Sequence, residues 1–222
     1  CVGLINSRCR PIALTSVFGK LLESVLCRRV SERSELEDWL AEEQGGFRKQ
    51  RRAEDQLFIL RELLEVRRTT NTFCAFLDVK RAYDCVWRDG LWSKLFNVGV
   101  TGKLWRLIRA MYDRVESTVR VGGQLSDAFE SDCGVRQGSV LSPLLYLLFI
   151  NDLIRLLERT GAGVRFDDNI LNCLFFADDI VLLAQSAEEL NLLLKTCSEF
   201  AASNGFQFNA DKSGVVVFGN GR

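Results

Sequence analysis

Three carboxylates stand where metal chemistry is possible. Asp178 and Asp179 are adjacent, preceded by Leu174-Phe175-Phe176-Ala177 and followed by Ile180-Val181-Leu182-Leu183. Apolar runs of strand length around a short polar break read as a tight β-hairpin, with two negative charges held at its tip. Taken alone, an Asp pair is an ordinary turn, because Asp hydrogen-bonds its own nearby backbone. A second carboxylate in a similar setting changes that reading. Phe73 to Val79 is Phe-Cys-Ala-Phe-Leu-Asp-Val, a hydrophobic strand ending on Asp78.

If the two strands share a sheet, Asp78, Asp178 and Asp179 converge at its edge. Carboxylates about 4 Å apart repel by about 4 kcal/mol per pair at an effective dielectric near 20. Protons or divalent cations between them offset that repulsion. Oxygen-only ligands suit Mg²⁺, which takes one or two carboxylates together with substrate phosphates. Two such ions about 3.5–4 Å apart form the clamp of polymerases and nucleases.

The rest of the composition narrows the alternatives. The chain has 222 residues, 47% hydrophobic and 26% charged, enough for one large domain or two small ones of an ordinary globular protein. Its formal net charge is zero, so overall charge gives no argument for nucleic acid. The early part is locally basic, in Arg48-Lys49-Gln50-Arg51-Arg52 and Arg67-Arg68. There is no histidine, which removes Ser-His-Asp and Cys-His triads and His-containing zinc sites. Eight cysteines without a Cys-x-x-Cys spacing fit a reducing, intracellular setting. The apolar run Val140 to Ile150 is too short to cross a bilayer and reads as a buried helix. No signal peptide is visible. The chain begins with Cys1 rather than Met and reads as a fragment of something longer.

The elements that must position the carboxylates follow from periodicity. Thr15 or Ser16 caps a helix with Leu21, Leu22, Val25, Leu26 and Val30 on one face. Ala53 to Arg67 carries Leu57, Leu60, Leu63 and Leu64 at helical spacing and leads into the Asp78 strand. Two more helices follow, near Asp89 to Phe96 and Gly102 to Tyr112, then a hairpin around Gly122-Gly123. The long apolar helix ends near Glu158. After the acidic hairpin, Ser186-Ala187-Glu188-Glu189 is a capping box that opens a helix stopping near Gly205. Gly214 to Phe218 is a last strand. The fold class is α+β, with mixed strands and packed helices.

With the elements placed, the motifs resemble a reverse transcriptase of the non-LTR (LINE-like) retrotransposon type, from Arg10 to about Phe218. Arg10-Pro11-Ile12 and Gln44-Gly45-Gly46-Phe47-Arg48 look like two blocks of the fingers. Phe76-Leu77-Asp78-Val79-Lys80-Arg81-Ala82-Tyr83-Asp84 looks like the first catalytic motif of the palm, and Gly134-Val135-Arg136-Gln137-Gly138-Ser139-Val140-Leu141-Ser142-Pro143 like the next. Phe176-Ala177-Asp178-Asp179 is the acidic hairpin, and Asn209-Ala210-Asp211-Lys212 resembles the lysine-bearing block. The implied architecture is a right-hand polymerase with an antiparallel palm sheet, fingers over residues 1–70 and palm over residues 71–222.

The resemblance also implies roles. Asp78 and Asp178 hold two Mg²⁺ ions, for which Mn²⁺ could substitute, with a backbone carbonyl at Val79 and with Asp179 as a weaker third partner. Tyr83 lies under the sugar of the incoming nucleotide, where it would collide with a 2′-hydroxyl, which argues for deoxynucleotides. Asp84, beyond the strand end, positions local backbone. Arg10 reaches the triphosphate, Gln137 and Gly138 meet the nucleotide or template, and Arg136 meets template or primer. Arg48, Lys49, Arg51 and Arg52 track template phosphate, and Lys212 serves the departing pyrophosphate. The partners are then an RNA template, a DNA primer, dNTPs and the rest of a polyprotein, with an intracellular site of action in nucleus or cytoplasm. Nothing in the chain resembles a thumb or an endonuclease. Two other readings stay open: a group II intron or retron reverse transcriptase, and a domesticated, non-catalytic palm that binds RNA.

Overall fold

The computed structural model describes residues 12–166 and 169–219. Two helices come first, α1 (Val17–Leu36) and α2 (Ala53–Val66), then strand β1 (Thr72–Asp78) and helices α3 (Arg88–Asn97) and α4 (Gly102–Ala110). Four two-residue strands follow, β2 (Glu116–Ser117), β3 (Arg120–Val121), β4 (Gln124–Leu125) and β5 (Phe129–Glu130). Helix α5 (Ser142–Arg159) leads into β6 (Val164–Phe166), β7 (Asn169–Leu171), β8 (Cys173–Phe176) and β9 (Asp179–Ala184). Helix α6 (Ala187–Asn204), a 3₁₀ turn (Ala210–Lys212) and β10 (Gly214–Phe218) close the described chain.

The main sheet is antiparallel, in the order β10-β1-β9-β8. Side chains alternate across it, as the two-residue period of a strand requires. Phe73, Ala75 and Leu77 of β1, Val79 just after it, and Ile180, Leu182 and Ala184 of β9 meet the helical core. Cys74, Phe76, Val181 and Leu183 meet a smaller cluster with Leu60, Leu63 and Leu64 of α2. The β1 and β9 strands are therefore packed on both faces while edge strand β10 is exposed along its length, and Asp78 and Asp179 share the α2 face. Helix α5 is the centre of the core. Twelve of its 18 residues are buried, as expected of a helix that is apolar nearly all round. Each fully buried leucine there gains about 2 kcal/mol over an exposed one.

The expected helix and strand order is present, and the capping hydroxyls act as read. The reciprocal half of the box before α6 is shifted, Glu189 Oε2 accepting from the Gln185 N–H at 3.0 Å rather than from Ser186. Ser16 Oγ accepts from the Gly19 N–H at 3.0 Å, and Ser186 Oγ accepts from Glu189. Helix α6 stops at Gly205, whose φ of 74° is a left-handed C-terminal cap. One face departs from expectation. On α1 only Leu26 and Val30 of the apolar stripe are buried, whereas Leu21, Leu22 and Val25 are exposed at 60%, 43% and 51%. The interior of α1 instead takes Glu23 and Ser34. Among the described residues no helix is long and apolar enough to cross a membrane. The six cysteines described are all free.

Candidate active site

The register of β1 on β9 sets the acidic pair. Leu77 faces Ile180 and Asp78 faces Asp179, so two carboxylates stand directly opposite each other at the end of the sheet. Like charges opposite each other on adjacent strands are destabilising, and here no apolar cover separates them from solvent: Asp179 is exposed and Asp78 half-buried. The hairpin tip differs from the sequence reading. Phe176 pairs with Asp179, so the turn is the two residues Ala177 and Asp178, and Asp179 opens β9 rather than sharing the tip. Ala177 has a φ of 59° and Asp178 does not have positive φ, the pattern of a turn whose first central position prefers glycine. An alanine held there stores about 1–2 kcal/mol of backbone strain.

The far side of Asp78 is fixed by the segment before β10. Asn209 donates its side-chain amide to Asp78 Oδ2 at 3.2 Å and its backbone N–H to the Asp78 carbonyl at 2.8 Å. Lys212 Nζ lies 3.9 Å from the same Oδ2. Lys80 N–H donates to Gln207 across the same short bridge. That bridge pairs Val79 with Phe208 through the groups on either side of them, so the Val79 carbonyl is not used in it.

Tyr83 follows on the turn after β1. Its ring stacks on Tyr146 of α5, centroids 5.5 Å apart and planes 9° apart. Burial, with a smaller contribution from the nearby Asp178 charge, pushes the Tyr83 hydroxyl up to about 12. The same causes push Tyr146 well above the ordinary tyrosine range, and its hydroxyl is buried without a hydrogen-bond partner. The loop before α5 is zipped to the Tyr83 turn: Val135 N–H donates to the Tyr83 carbonyl at 2.7 Å and Gly134 N–H to Val86 at 2.8 Å. A Cβ on Gly134 would lie 2.9 Å from the Asp84 carbonyl oxygen, at a φ of +82°. Gln137 donates its side-chain amide to Asp84 Oδ1 at 3.2 Å, so Asp84 orients a glutamine rather than local backbone. Gly138 is exposed, and the backbone of Ala13 passes over it, with Ala13 N–H donating to the Gln137 carbonyl at 2.7 Å.

These residues lie within a region, 6–217, that matches the family described as Reverse transcriptase (RNA-dependent DNA polymerase). The chain belongs to the reverse transcriptase family. It is 31% identical to the RNA-directed DNA polymerase from mobile element jockey of Drosophila funebris, over 95% of this chain and 23% of that protein. It is 28% identical to the Pol polyprotein from the type-2 retrotransposable element R2DM of Drosophila melanogaster, over 93% of this chain and 19% of that one. The chain thus spans about a fifth to a quarter of the length of these relatives. Among solved structures it shares its fold with a telomerase from Candida albicans in complex with a fragment of telomeric RNA. The TM-score is 0.64 at 14% identity, covering 88% of this chain and 35% of that one. A telomerase from Candida tropicalis gives 0.65 at 13%, over 87% and 33%. The α+β polymerase architecture expected from the sequence is therefore present.

Two arginines read as nucleic-acid contacts are engaged inside the protein instead. The Arg48 side chain is only 4% exposed, and its guanidinium forks onto Glu35 at 3.0 and 2.7 Å and donates to the Ala41 carbonyl at 2.8 Å. A cation so enclosed cannot track a template backbone. Arg136 donates to the Met111 carbonyl at 2.6 Å, lies over the Tyr112 ring and stands 3.9 Å from the buried Glu23. Glu23 in turn accepts from the Val140 N–H just ahead of α5. Arg136 thereby ties α1, α4 and the loop together. Arg51 is paired with Glu42, while Lys49 and Arg52 are exposed. Arg10 lies outside the described residues.

The Arg48 placement has a measurable consequence. Arg48→Met is expected to lower unfolding free energy by about 2 kcal/mol, the scale of lost hydrogen bonds to a charged group. It should leave the salt dependence of template binding unchanged, because no phosphate contact is removed. The Arg48 hydrogen bond, partly opposed by burial, holds Glu35 below the ordinary carboxylate range. A lowered acid stabilises the fold above its unfolded pKa, and that contribution fades as pH falls through the folded value. Denaturant melts from neutral to acid pH should show this loss in the wild type and not in Glu35→Gln.

Three site residues escaped the sequence reading of function. Asn209 and Gln44 sit within quoted motifs but had no role there, and Tyr146 was only a member of an apolar run. The signal for Asn209 was its place in the lysine-bearing block; for Tyr146 there was none. The donor set fits a magnesium site. All candidate ligands are oxygen, and among the described residues no three acidic, thiol or imidazole groups cluster to enclose an ion. Mg²⁺ needs no such cage, since it takes one or two carboxylates and keeps waters or substrate phosphates.

Proposed function

We propose that the chain carries the nucleotide-addition site of an RNA-directed DNA polymerase of a non-LTR retrotransposon. The observation that carries this reading is the register that sets Asp78 against Asp179, with Asp178 in the adjoining turn and Tyr83 beside it. Asp78 and Asp178 would hold the two Mg²⁺ ions, or Mn²⁺ in their place, helped by the Val79 carbonyl and more weakly by Asp179. When bound, the ions would supply the charge that activates a primer 3′-hydroxyl and neutralises a triphosphate.

The chain's own residues would do the rest. Asn209 and Lys212 orient Asp78, and Lys212 is placed to stabilise or protonate a leaving pyrophosphate. Tyr83, backed by the buried Tyr146 ring, would form a rigid floor under the nucleotide sugar. Gln137, oriented by Asp84, and Gly138, whose missing side chain makes room for the Ala13 backbone, would meet the nucleotide or template. Arg10 would reach the triphosphate, and Lys49 and Arg52 would follow template phosphate. Residues 1–70 would act as fingers and residues 71–222 as palm. RNA template, DNA primer, dNTPs and the remainder of a longer polyprotein would be the partners, inside the cell.

Primer extension on an annealed RNA template, with Mg²⁺ and either dNTPs or rNTPs, tests this. Extension with dNTPs and not with rNTPs is expected. Equal use of ribonucleotides would sink the deoxynucleotide reading.

A further inference from the structure

The turn that carries Asp178 is held from outside its own hairpin. Segment 43–45 lies along β8: Phe175 N–H donates to the Glu43 carbonyl at 2.9 Å, and Gly45 N–H donates to the Phe175 carbonyl at 2.8 Å. This places the wholly buried Gln44 beside the turn. Its Oε1 accepts two hydrogen bonds, from Gly46 N–H and from Ala177 N–H, both at 2.9 Å. Its Nε2 is buried without a hydrogen-bond partner. A flipped amide would set a donor against two donors, so the network fixes the orientation. Gly46 completes the fit. A Cβ there would lie 2.3 Å from the Ala177 nitrogen, so only glycine lets the segment approach.

We infer that Gln44 is a positioning residue for the acidic site, its carbonyl oxygen holding Ala177 in the left-handed conformation that aims Asp178. The inference rests on the metal reading of Asp78 and Asp178. Ala177 occupies a conformation that alanine disfavours, so some contact must select it. The Gln44 acceptor is aimed at that residue's amide, one position before Asp178. What the site uses is the oxygen: the amide's nitrogen has no partner to lose.

That asymmetry defines the test on the 222-residue chain. Gln44→Met keeps length and removes the acceptor, whereas Gln44→Glu keeps an acceptor oxygen and replaces the unpartnered donor with a second oxygen, adding a negative charge when ionised. Two readouts are taken: exchange of the Ala177 amide proton by NMR, and Mn²⁺ affinity by electron paramagnetic resonance. In Gln44→Met the Ala177 amide should exchange about tenfold faster while α6 amides are unchanged, and Mn²⁺ should bind about tenfold more weakly. Gln44→Glu should restore the Ala177 protection and bring Mn²⁺ affinity back to at least the wild-type value, its added charge favouring the cation. Unchanged Ala177 protection and Mn²⁺ affinity in Gln44→Met would overturn the inference. So would a folded Gln44→Glu with Ala177 unprotected, a result that decides the matter even if Gln44→Met does not fold. Wild-type Mn²⁺ binding that Asp178→Asn leaves intact would refute the metal reading instead, and Ala177 exchange would still judge Gln44.

Discussion

Asp78→Asn and Asp178→Asn are each expected to lower primer extension at least about a thousandfold. Metal-borne charge stabilisation is worth several kcal/mol, and each 1.4 kcal/mol or so is a factor of ten in rate. Stability should not follow activity. At Asp78 the substitution removes one of two like charges facing across β1 and β9, which favours the fold. The carboxamide still offers an oxygen to Asn209. The pair with Lys212 spans 3.9 Å with the lysine 59% exposed, and such pairs contribute little. The melting transition of Asp78→Asn should therefore match the wild type, within about 0.5 kcal/mol. A large stability loss in parallel with the activity loss would show that Asp78 is structural.

Tyr83→Val is expected to admit ribonucleotides, reducing discrimination against rNTPs at least about tenfold while dNTP use remains measurable. The ring would do this work by bulk, and its parallel stack on Tyr146 would keep it from yielding. Tyr83→Phe should then discriminate as the wild type does. With the Tyr83 hydroxyl raised to about 12, the residue stays neutral at physiological pH. Sugar selectivity should accordingly be flat between about pH 6 and 9. Unchanged discrimination in Tyr83→Val would refute the role.

The parts of this site that could be read from sequence are those encoded locally. The acidic hairpin and the Asp78 strand declare themselves because continuous apolar runs of strand length abut carboxylates within ten residues. Helix α5 is legible because a helix apolar all round has only one place to go. What escaped depends on contacts between distant segments. Arg48 read as one of a basic run, yet Glu35, 13 residues earlier, draws it inside. Gln44 acts on Ala177 across 133 residues and Asn209 on Asp78 across 131, and neither leaves a pattern in its own neighbourhood. The apolar stripe of α1 was real as a pattern. Periodicity reports which residues share a face, not whether a partner covers it, and Leu21, Leu22 and Val25 are exposed in this chain.

The most direct test of the acidic site is equilibrium binding of a dNTP to the purified chain, titrated with and without Mg²⁺, in wild type and in Asp178→Asn. If the carboxylates hold the metal that receives the triphosphate, Mg²⁺ should tighten wild-type binding at least about tenfold and leave Asp178→Asn unaffected. Binding that is indifferent to Mg²⁺, or a metal effect that survives in Asp178→Asn, would contradict the assignment of this hairpin as the metal site.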